Sequence, residues 1–358
     1  MGSPTRKIAV VSLSLARGGA ERFAATHSRL LTDSGYEVHH ILIEDDIAYP
    51  YAGTIYNLGD LCKNDFAWWR KIKKGILLRR YLMEHQIDTV LDNRTRPLAL
   101  REWFTRRIYG RRKIIYMVHS ARIDNYLPPR WMSKFVLRGV TLVCVSKAIA
   151  QKVRAVYCVE DVHAIYNPIP ALAPDSPRVN LPSPFILFFG RLDEKVKNFT
   201  LLLEGFAMSK LAGSGYRLVI LGDGPDAAYI LETAVRLGIE NQVILLPFEP
   251  NPYAYVQNAR FTVLTSRYEG FPMSVIESLA LGTPVVSVDC DSGPAEVILN
   301  KQNGLLIPNH NVAALAGAMA ALAQDNDLYD ICRQGAAPSV AHLSSDHIAR
   351  QWQQILTL

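Results

Sequence analysis

The chain has 358 residues, 49% of them apolar, with 39 Lys/Arg, 33 Asp/Glu and five cysteines. That length accommodates two ordinary domains of roughly 150–180 residues, each with a buried core. The composition excludes collagen, coiled coil and disorder, and the odd, scattered cysteines without a CxxC exclude a disulfide framework or zinc site.

Charge divides unevenly along the chain. Residues 1–170 hold 27 Lys/Arg against 15 Asp/Glu, and residues 171–358 hold 12 against 18. The basic first half is expected to face an anionic partner. Met1–Lys7 is polar, and no apolar run reaches the roughly 20 residues of a membrane span. A reduced, cytoplasmic setting with peripheral membrane contact at most is the expectation.

Short apolar runs alternate with amphipathic stretches from the start, which predicts a parallel sheet wrapped by helices. Ile8–Leu13 is a predicted strand. Ala16-Arg17-Gly18-Gly19-Ala20-Glu21-Arg22 follows, and a helix runs from about Ala20 to Asp33, stopped by Gly35. Gly18 and Gly19 permit close backbone approach to a phosphate or sugar, or form an ordinary tight turn. Val38–Ile43, Thr89–Leu91, Ile114–Val118, Leu142–Val145 and Val162–Tyr166 continue the strands. Asp45-Asp46 is an isolated acidic pair and a poor metal site alone. His119, at the end of Ile114–Val118, reads either as a structural residue or as a site residue.

Two basic segments interleave aromatics. Lys63–Tyr81 reads KNDFAWWRKIKKGILLRRY, and Arg101–Lys113 carries Trp103 and Phe104. Such faces suit an anionic membrane interface. An amphipathic helix with its aromatics in the core and its charges solvated fits the same pattern. No nucleic-acid-binding motif is present.

Asn167–Pro184 contains six prolines, among them Pro174 and Pro177, and reads as a stiff interdomain linker. The second half then restarts the alternation with Phe185–Phe189, Arg217–Leu221, Val243–Leu246, Phe261–Leu264, Val285–Val288 and Leu305–Ile307. A last amphipathic helix, Ser345 to about Leu356, puts Ile348, Trp352 and Ile355 on one stripe. The expected domains are 1–170 with 345–358, and 171–344. Two doubly wound domains facing a cleft suit a ligand with two ends.

The strand ends of the second half carry the chemistry. Gly190-Arg191-Leu192-Asp193-Glu194-Lys195-Val196-Lys197-Asn198 follows Phe185–Phe189 and precedes a helix beginning near Phe199. Arg191 and Lys197 thus sit on a strand-to-helix loop, where phosphates bind. Ser266 to Glu277 follows Phe261–Leu264. Pro272 fits the first turn of a helix running to about Leu281 and closed by Gly282. Glu269 lies just before that helix and Glu277 within it, with the backbone of Gly270, Phe271, Pro272, Met273 and Ser274 between them. One carboxylate can reach a sugar and the other a ribose, with the helix dipole beneath the phosphates. Gly222-Asp223-Gly224-Pro225 lacks the third glycine of a dinucleotide fingerprint, so a nicotinamide site is excluded. Gly222 instead shapes a nucleotide pocket by backbone approach. No HExxH or clustered His/Asp set occurs, which points to phosphate neutralisation by Arg and Lys without a metal or other cofactor.

On these residues the sequence resembles the family 4 retaining glycosyltransferases along nearly its whole length, most strongly over Phe185–Pro308. Glu269–Glu277 is similar to that family's E-x7-E motif, and Gly190-Arg191-Leu192 with Lys197-Asn198 to its Arg/Lys pair. Val145-Ser146-Lys147, Asn167-Pro168, Gly222-Asp223-Gly224, Gly282-Thr283-Pro284-Val285-Val286 and Asn303-Gly304-Leu305 fall where similar phrases occur. The resemblance implies a GT-B fold with the last helix crossing back to the N-domain. It implies that Arg191 and Lys197 bind a diphosphate, Glu277 a ribose, and Glu269 with Phe271–Met273 the donor sugar. Gly19 and His119 would approach the donor from the N-domain. Members usually have one residue fewer between the arginine and the lysine, so Lys195 competes with Lys197.

The GGAER opening and basic N-domain resemble enzymes that extend polyprenyl-diphosphate-linked or surface-polysaccharide glycans. The expected reaction is metal-independent, retaining transfer of a HexNAc or hexose from a nucleotide sugar, UDP-linked by family habit. The expected acceptor is an anionic lipid-linked saccharide at the inner face of the plasma membrane. The alternatives are a UDP-sugar 2-epimerase of the same architecture and a non-catalytic nucleotide-sugar-binding subunit.

Overall fold

A computed structural model of the chain describes residues 6–16, 18–157, 159–170 and 179–357. Met1, Arg17, Pro174 and Pro177, named above, lie outside the described residues, as do Cys158 and Leu358. The chain divides into two compact units, Met1–Pro168 with Ser345–Leu358, and Ile169–Ser344.

The first unit holds a seven-stranded sheet, all of whose pairings are parallel. Its strands are β1 (Lys7–Ser12), β2 (Glu37–Leu42), β3 (Thr54–Asn57), β4 (Thr89–Asp92), β5 (Lys113–Val118), β6 (Thr141–Cys144) and β7 (Val162–Ala164), ordered β3-β2-β1-β4-β5-β6-β7. The second unit holds a six-stranded parallel sheet of β8 (Phe185–Phe189), β9 (Arg217–Leu221), β10 (Val243–Leu246), β11 (Phe261–Leu264), β12 (Val285–Asp289) and β13 (Gly304–Pro308), ordered β10-β9-β8-β11-β12-β13. In both, the order reverses beside the first strand. The crevice at such a switch point, beyond the carboxyl ends of the strands, is where doubly wound sheets bind ligands. In the first unit it lies between β1 and β4, in the second between β8 and β11.

The central strands are apolar on both faces because helices cover both. Phe185–Phe189 is buried throughout, as is the run Ile8–Ser12 in the other sheet. Five strands begin one residue earlier than their apolar pattern, at Lys7, Glu37, Lys113, Thr141 and Gly304. Lys7, Glu37 and Lys113 join the ladder through their backbones, and Lys7 Nζ pairs with Glu37 Oε1 at 3.2 Å. The strand β3 carries no apolar run and was not expected. It is a four-residue edge strand held by β2, with Gly53 packed so closely on the Val38 carbonyl that any Cβ would overlap it.

The helix Ser345–Thr357 belongs to the first unit, where Ile348, Trp352 and Ile355 are buried. Trp352 packs on His27 of the helix Gly19–Asp33, ring centroids 4.2 Å apart. Arg6 donates to the Leu356 carbonyl and Lys113 to the Ile355 carbonyl, two cations at a helix C-terminus.

The helix Ala67–Glu84 divides its apolar residues between core and surface. It buries Leu78, Tyr81 and Leu82, while Phe66, Trp68, Trp69, Ile72 and Ile76 are exposed. Phe66, Trp68 and Trp69 are therefore not core, whereas Tyr81 is. Trp103 and Phe104 on the adjoining helix Ala99–Tyr109, and Trp131 and Phe135 on the next, Arg130–Val136, are exposed as well.

Candidate functional site

In the second unit, the loops after β8 and β11 meet at the switch point. Val196 O accepts from Arg267 N at 2.8 Å, and Lys197 O accepts from Thr265 Oγ1 at 2.8 Å. This stitching brings Lys197 Nζ to 2.7 Å from Glu269 Oε1, which also accepts from Ser266 Oγ at 2.6 Å. Lys197 and Glu269 are largely buried, at 17% and 13% side-chain exposure, so the pair is shielded from solvent. Lys195, its competitor in sequence, is exposed.

Arg191 is more open and donates to Asp193 Oδ2 at 2.8 Å. Glu194 accepts from Arg267 Nη2 at 3.0 Å and from Thr200, which braces the loop from its far side. Gly190 N bonds the Leu221 carbonyl, and Leu192 N the Asp223 carbonyl. Here the β8 and β9 loops run backbone against backbone. A Cβ on Gly222 would overlap the Gly190 carbonyl oxygen, so the loop needs glycine at that position.

The helix carrying Glu277 spans Met273–Ala280. Pro272 is its N-cap and not its first helical residue, one position away from the sequence expectation, with φ −75 and ψ 97. Gly270, Phe271 and Pro272 are buried, Met273 and Ser274 partly so. Glu277 has no exposure at all and lies among Val275, Ile276, Ser278 and Leu279. A solvated surface glutamate is thereby excluded, since a carboxylate is costly to bury unless something there uses it.

Gly18, Gly19 and His119 belong to the first unit and not to this one. Gly18 is the N-cap of Gly19–Asp33, and a Cβ there would overlap the Glu21 carboxylate. His119 Nε2 meets Asn93 Oδ1 at 2.9 Å, so Nε2 carries the hydrogen and Nδ1 keeps its lone pair. Burial, helped by the nearby Arg96 charge, lowers the His119 pKa to about 3. The ring is neutral at physiological pH.

Sequence reasoning passed over the buried cluster behind His119. Asp92 is fully buried and takes Arg94 in a bidentate pair, Nε to Oδ1 at 3.0 Å and Nη2 to Oδ2 at 2.7 Å. Tyr109 donates to Asp92 Oδ2 at 2.6 Å, and Arg96 lies 3.8 Å over the Tyr116 ring. Burial pushes the Asp92 carboxyl up, but Arg94 and Arg96 outweigh it and hold the group well below the usual carboxylate range. The signal was present in Asp92-Asn93-Arg94-Thr95-Arg96, with a charged residue at every second position directly at the end of an apolar strand. Ser266 and Asp193, which hold Glu269 and Arg191, carried no comparable mark. Among the described residues, no group of three or more His, Cys, Asp or Glu could hold a metal ion.

Two family models match the chain in succession, Glycosyltransferase Family 4 over residues 17–171 and Glycosyl transferases group 1 over residues 173–337. The chain is 28% identical, over 90% of its length and 92% of the relative's, to the N-acetylgalactosamine-N,N'-diacetylbacillosaminyl-diphospho-undecaprenol 4-alpha-N-acetylgalactosaminyltransferase of Campylobacter jejuni. It is 35% identical to the lipopolysaccharide 1,6-galactosyltransferase of Salmonella typhimurium over 41% of the chain and 42% of that protein. Among solved structures, TarM of S. aureus, crystallised with UDP, superposes with a TM-score of 0.81 at 14% identity, covering 99% of this chain and 100% of that one. Anabaena HepE with UDP and glucose gives 0.77 at 17% identity, covering 98% and 99%. With two Rossmann-like sheets, a charged site at the second switch point and matches to both halves, the chain belongs to the family 4 and group 1 glycosyltransferases of the GT-B fold.

Proposed function

We propose that the chain transfers a hexose or N-acetylhexosamine, with retention and without a metal or cofactor, from a UDP-sugar to a polyprenyl-diphosphate-linked saccharide. The setting would be cell-surface polysaccharide or glycoprotein glycan assembly at the inner face of the membrane. The observation that carries the proposal is the Lys197–Glu269 pair, 2.7 Å apart, at a switch point that also holds Arg191 and the buried Glu277.

In this reading Arg191 and Lys197 bind the diphosphate, Glu277 the ribose, and Glu269 with the Gly270–Ser274 backbone the sugar. Gly190 and Gly222 allow the nucleotide to approach the backbone. The acceptor hydroxyl oxygen bonds to C1 as the bond from C1 to the diphosphate oxygen breaks. The departing oxygen takes the acceptor's proton on the same face. The two cations then stabilise charge that is larger in the transition state than in the ground state. Support for the membrane setting comes from the basic first half, its exposed aromatic helices, and the diphospho-undecaprenol substrate named for the Campylobacter relative. Among the described residues, no helix is long and apolar enough to cross a membrane.

The test is a melting-temperature panel of nucleotide sugars, since a ligand bound only by the folded state raises the midpoint, followed by NMR of the product. UDP-sugars are expected to stabilise the chain, Arg191→Ala to abolish that effect, and the new linkage to be α in the presence of EDTA. A β-linked product, or activity lost to EDTA, overturns the mechanism. Epimerised donor formed without acceptor would establish the epimerase instead.

A further inference from the structure

Asn93 stands directly after β4, whose neighbours in the sheet are β1, ending at Ser12, and β5, followed at once by His119. Its backbone continues the ladder, donating from N to the Val11 carbonyl at 2.9 Å. Its side chain is buried and reaches both neighbours. Nδ2 lies 3.3 Å from Ser12 Oγ, and Oδ1 lies 2.9 Å from His119 Nε2. The amide is thus anchored at both ends, and the sheet fixes its base.

A primary amide has a polarity that a neutral imidazole lacks. Its oxygen accepts and its nitrogen donates, whereas the imidazole can carry its hydrogen on either ring nitrogen. The end of the amide that faces the ring therefore decides which nitrogen is protonated. With Oδ1 facing it, the hydrogen stays on Nε2 and the lone pair on Nδ1. The ring is also packed by Phe23 and Tyr126, centroids 4.9 and 6.1 Å away. Burial, helped by the Arg96 charge, disfavours a second proton on it.

A ring held in this state accepts a hydrogen bond at Nδ1 and cannot donate one there. Its partner must be a donor, as a sugar hydroxyl is and a carbonyl or ionised phosphate oxygen is not. The opposite tautomer would reverse that preference.

We propose that Asn93 is a positioning residue, which fixes His119 as the hydrogen-bond acceptor for a hydroxyl of the bound substrate. That the hydroxyl belongs to a sugar rests on the glycosyl-transfer reading above. Asn93 itself touches no reacting atom in this role. An acceptor set before binding orients the hydroxyl without a further ordering cost.

The test begins with two-bond proton–nitrogen NMR correlation on the full chain with isotope-labelled histidine, without ligand, at about pH 8, where a neutral ring is expected. The His119 signals are those lost in His119→Gln. Wild type should show the hydrogen on Nε2. Asn93→Asp, whose carboxylate accepts from the same place, should keep it there, and Asn93→Ala should release the ring to a mixture of tautomers. If Asn93→Ala does not fold, Asn93→Leu, which keeps the volume, replaces it. A hydrogen on Nδ1 in wild type, or an unchanged tautomer without the amide, overturns the proposal. The second measurement is UDP release, with water as acceptor, from UDP-glucose, UDP-galactose and their N-acetylamino counterparts. Removing the amide should lower kcat at least about tenfold, the scale of one positioned acid–base or hydrogen-bonding group, with little change in KM. Asn93→Asp should recover most of that loss. Equal losses in the Asp and Ala variants, matched by equal falls in melting temperature, would mean a structural residue and overturn the proposal. A wild type that releases no UDP from any of the four overturns the glycosyl-transfer reading, and the role in turnover with it, whatever the tautomer.

Discussion

At Lys197 the ammonium lies 2.7 Å from Glu269 Oε1, whereas Lys195, two positions away, is exposed. An ammonium has three donors, so a diphosphate can join Lys197 without displacing Glu269. The pair is largely buried, where a fixed cation stabilises developing charge far more than it would in water. Lys197→Ala should therefore lower kcat/KM by about 10²–10³, the range seen when one such donor is removed. Lys195→Ala, losing a solvated charge, should stay within about threefold, a change typical of surface sites. Lys197→Ala also leaves the Glu269 carboxylate buried without its cation, so its melting temperature should fall as well. Steady-state kinetics and melting curves on both variants check this; equal, small losses would reject Lys197 as the diphosphate ligand.

At the scale of elements, the helix Ala67–Glu84 carries two apolar stripes. Leu78, Tyr81 and Leu82 face the core, while Phe66, Trp69, Ile72 and Ile76, at three- and four-residue spacing, face solvent. Periodicity alone could not say which stripe was buried, because both repeat at the helical period. Trp68 is exposed as well, as are Trp103 on the adjoining helix Ala99–Tyr109 and Trp131 and Phe135 on Arg130–Val136, which packs against that helix. If this face docks on an anionic membrane, Trp68→Ser with Phe135→Ser should cut the vesicle-bound fraction at least fivefold without lowering the melting temperature, since the two side chains are 70% and 82% exposed. Added salt should release the wild type, because its attraction is partly screened charge. Flotation on vesicles rich in anionic lipid reads both effects, and equal flotation of the double variant counts against the face.

Elsewhere, the sequence marked the elements wherever a strand carried an apolar run, even at a sheet edge, as at Val243–Leu246. Phe185–Phe189, Arg217–Leu221, Val243–Leu246 and Phe261–Leu264 are found at the expected bounds. It failed at Thr54–Asn57, an edge strand whose side chains are only partly buried, so no apolar run betrays it. The site followed the same logic. Loops directly after apolar strands located Arg191, Lys197 and Glu269, while Glu21 comes to line one pocket with Asn93 and Arg94 only through the crossover order of the sheet.

For the whole molecule, acid sensitivity is concentrated in one unit. Burial lowers His27 to about 3, with His119 and His40 adding to it, and lowers His40 to about 4 and His119 to about 3. All three histidines belong to the first unit, as does Asp92 with its depressed carboxyl. A histidine whose folded pKa lies below its unfolded value of about 6.5 favours proton uptake by the unfolded chain. Its contribution to stability is fully present above pH ~6.5 and is lost as pH falls towards the folded values. Asp92 acts in the same direction, adding a further loss below pH ~4, where the unfolded carboxyl takes its proton. Each buried histidine contributes on the order of 3–5 kcal/mol at most across that window, because a tenfold difference in proton affinity between the two states is worth ~1.4 kcal/mol. Among the described residues, neither ring nitrogen of His27 has a hydrogen-bond partner, and the ring stacks on Phe23 and packs on Trp352. His27→Phe should accordingly cost little at pH 8, since it removes no hydrogen bond and keeps the ring contacts. It should also flatten the acid limb, because one of the histidines that take up a proton on unfolding is gone. Melting temperatures of both proteins from pH 8 to pH 4 decide the matter: parallel curves would mean that His27 takes up its proton without unfolding the first unit.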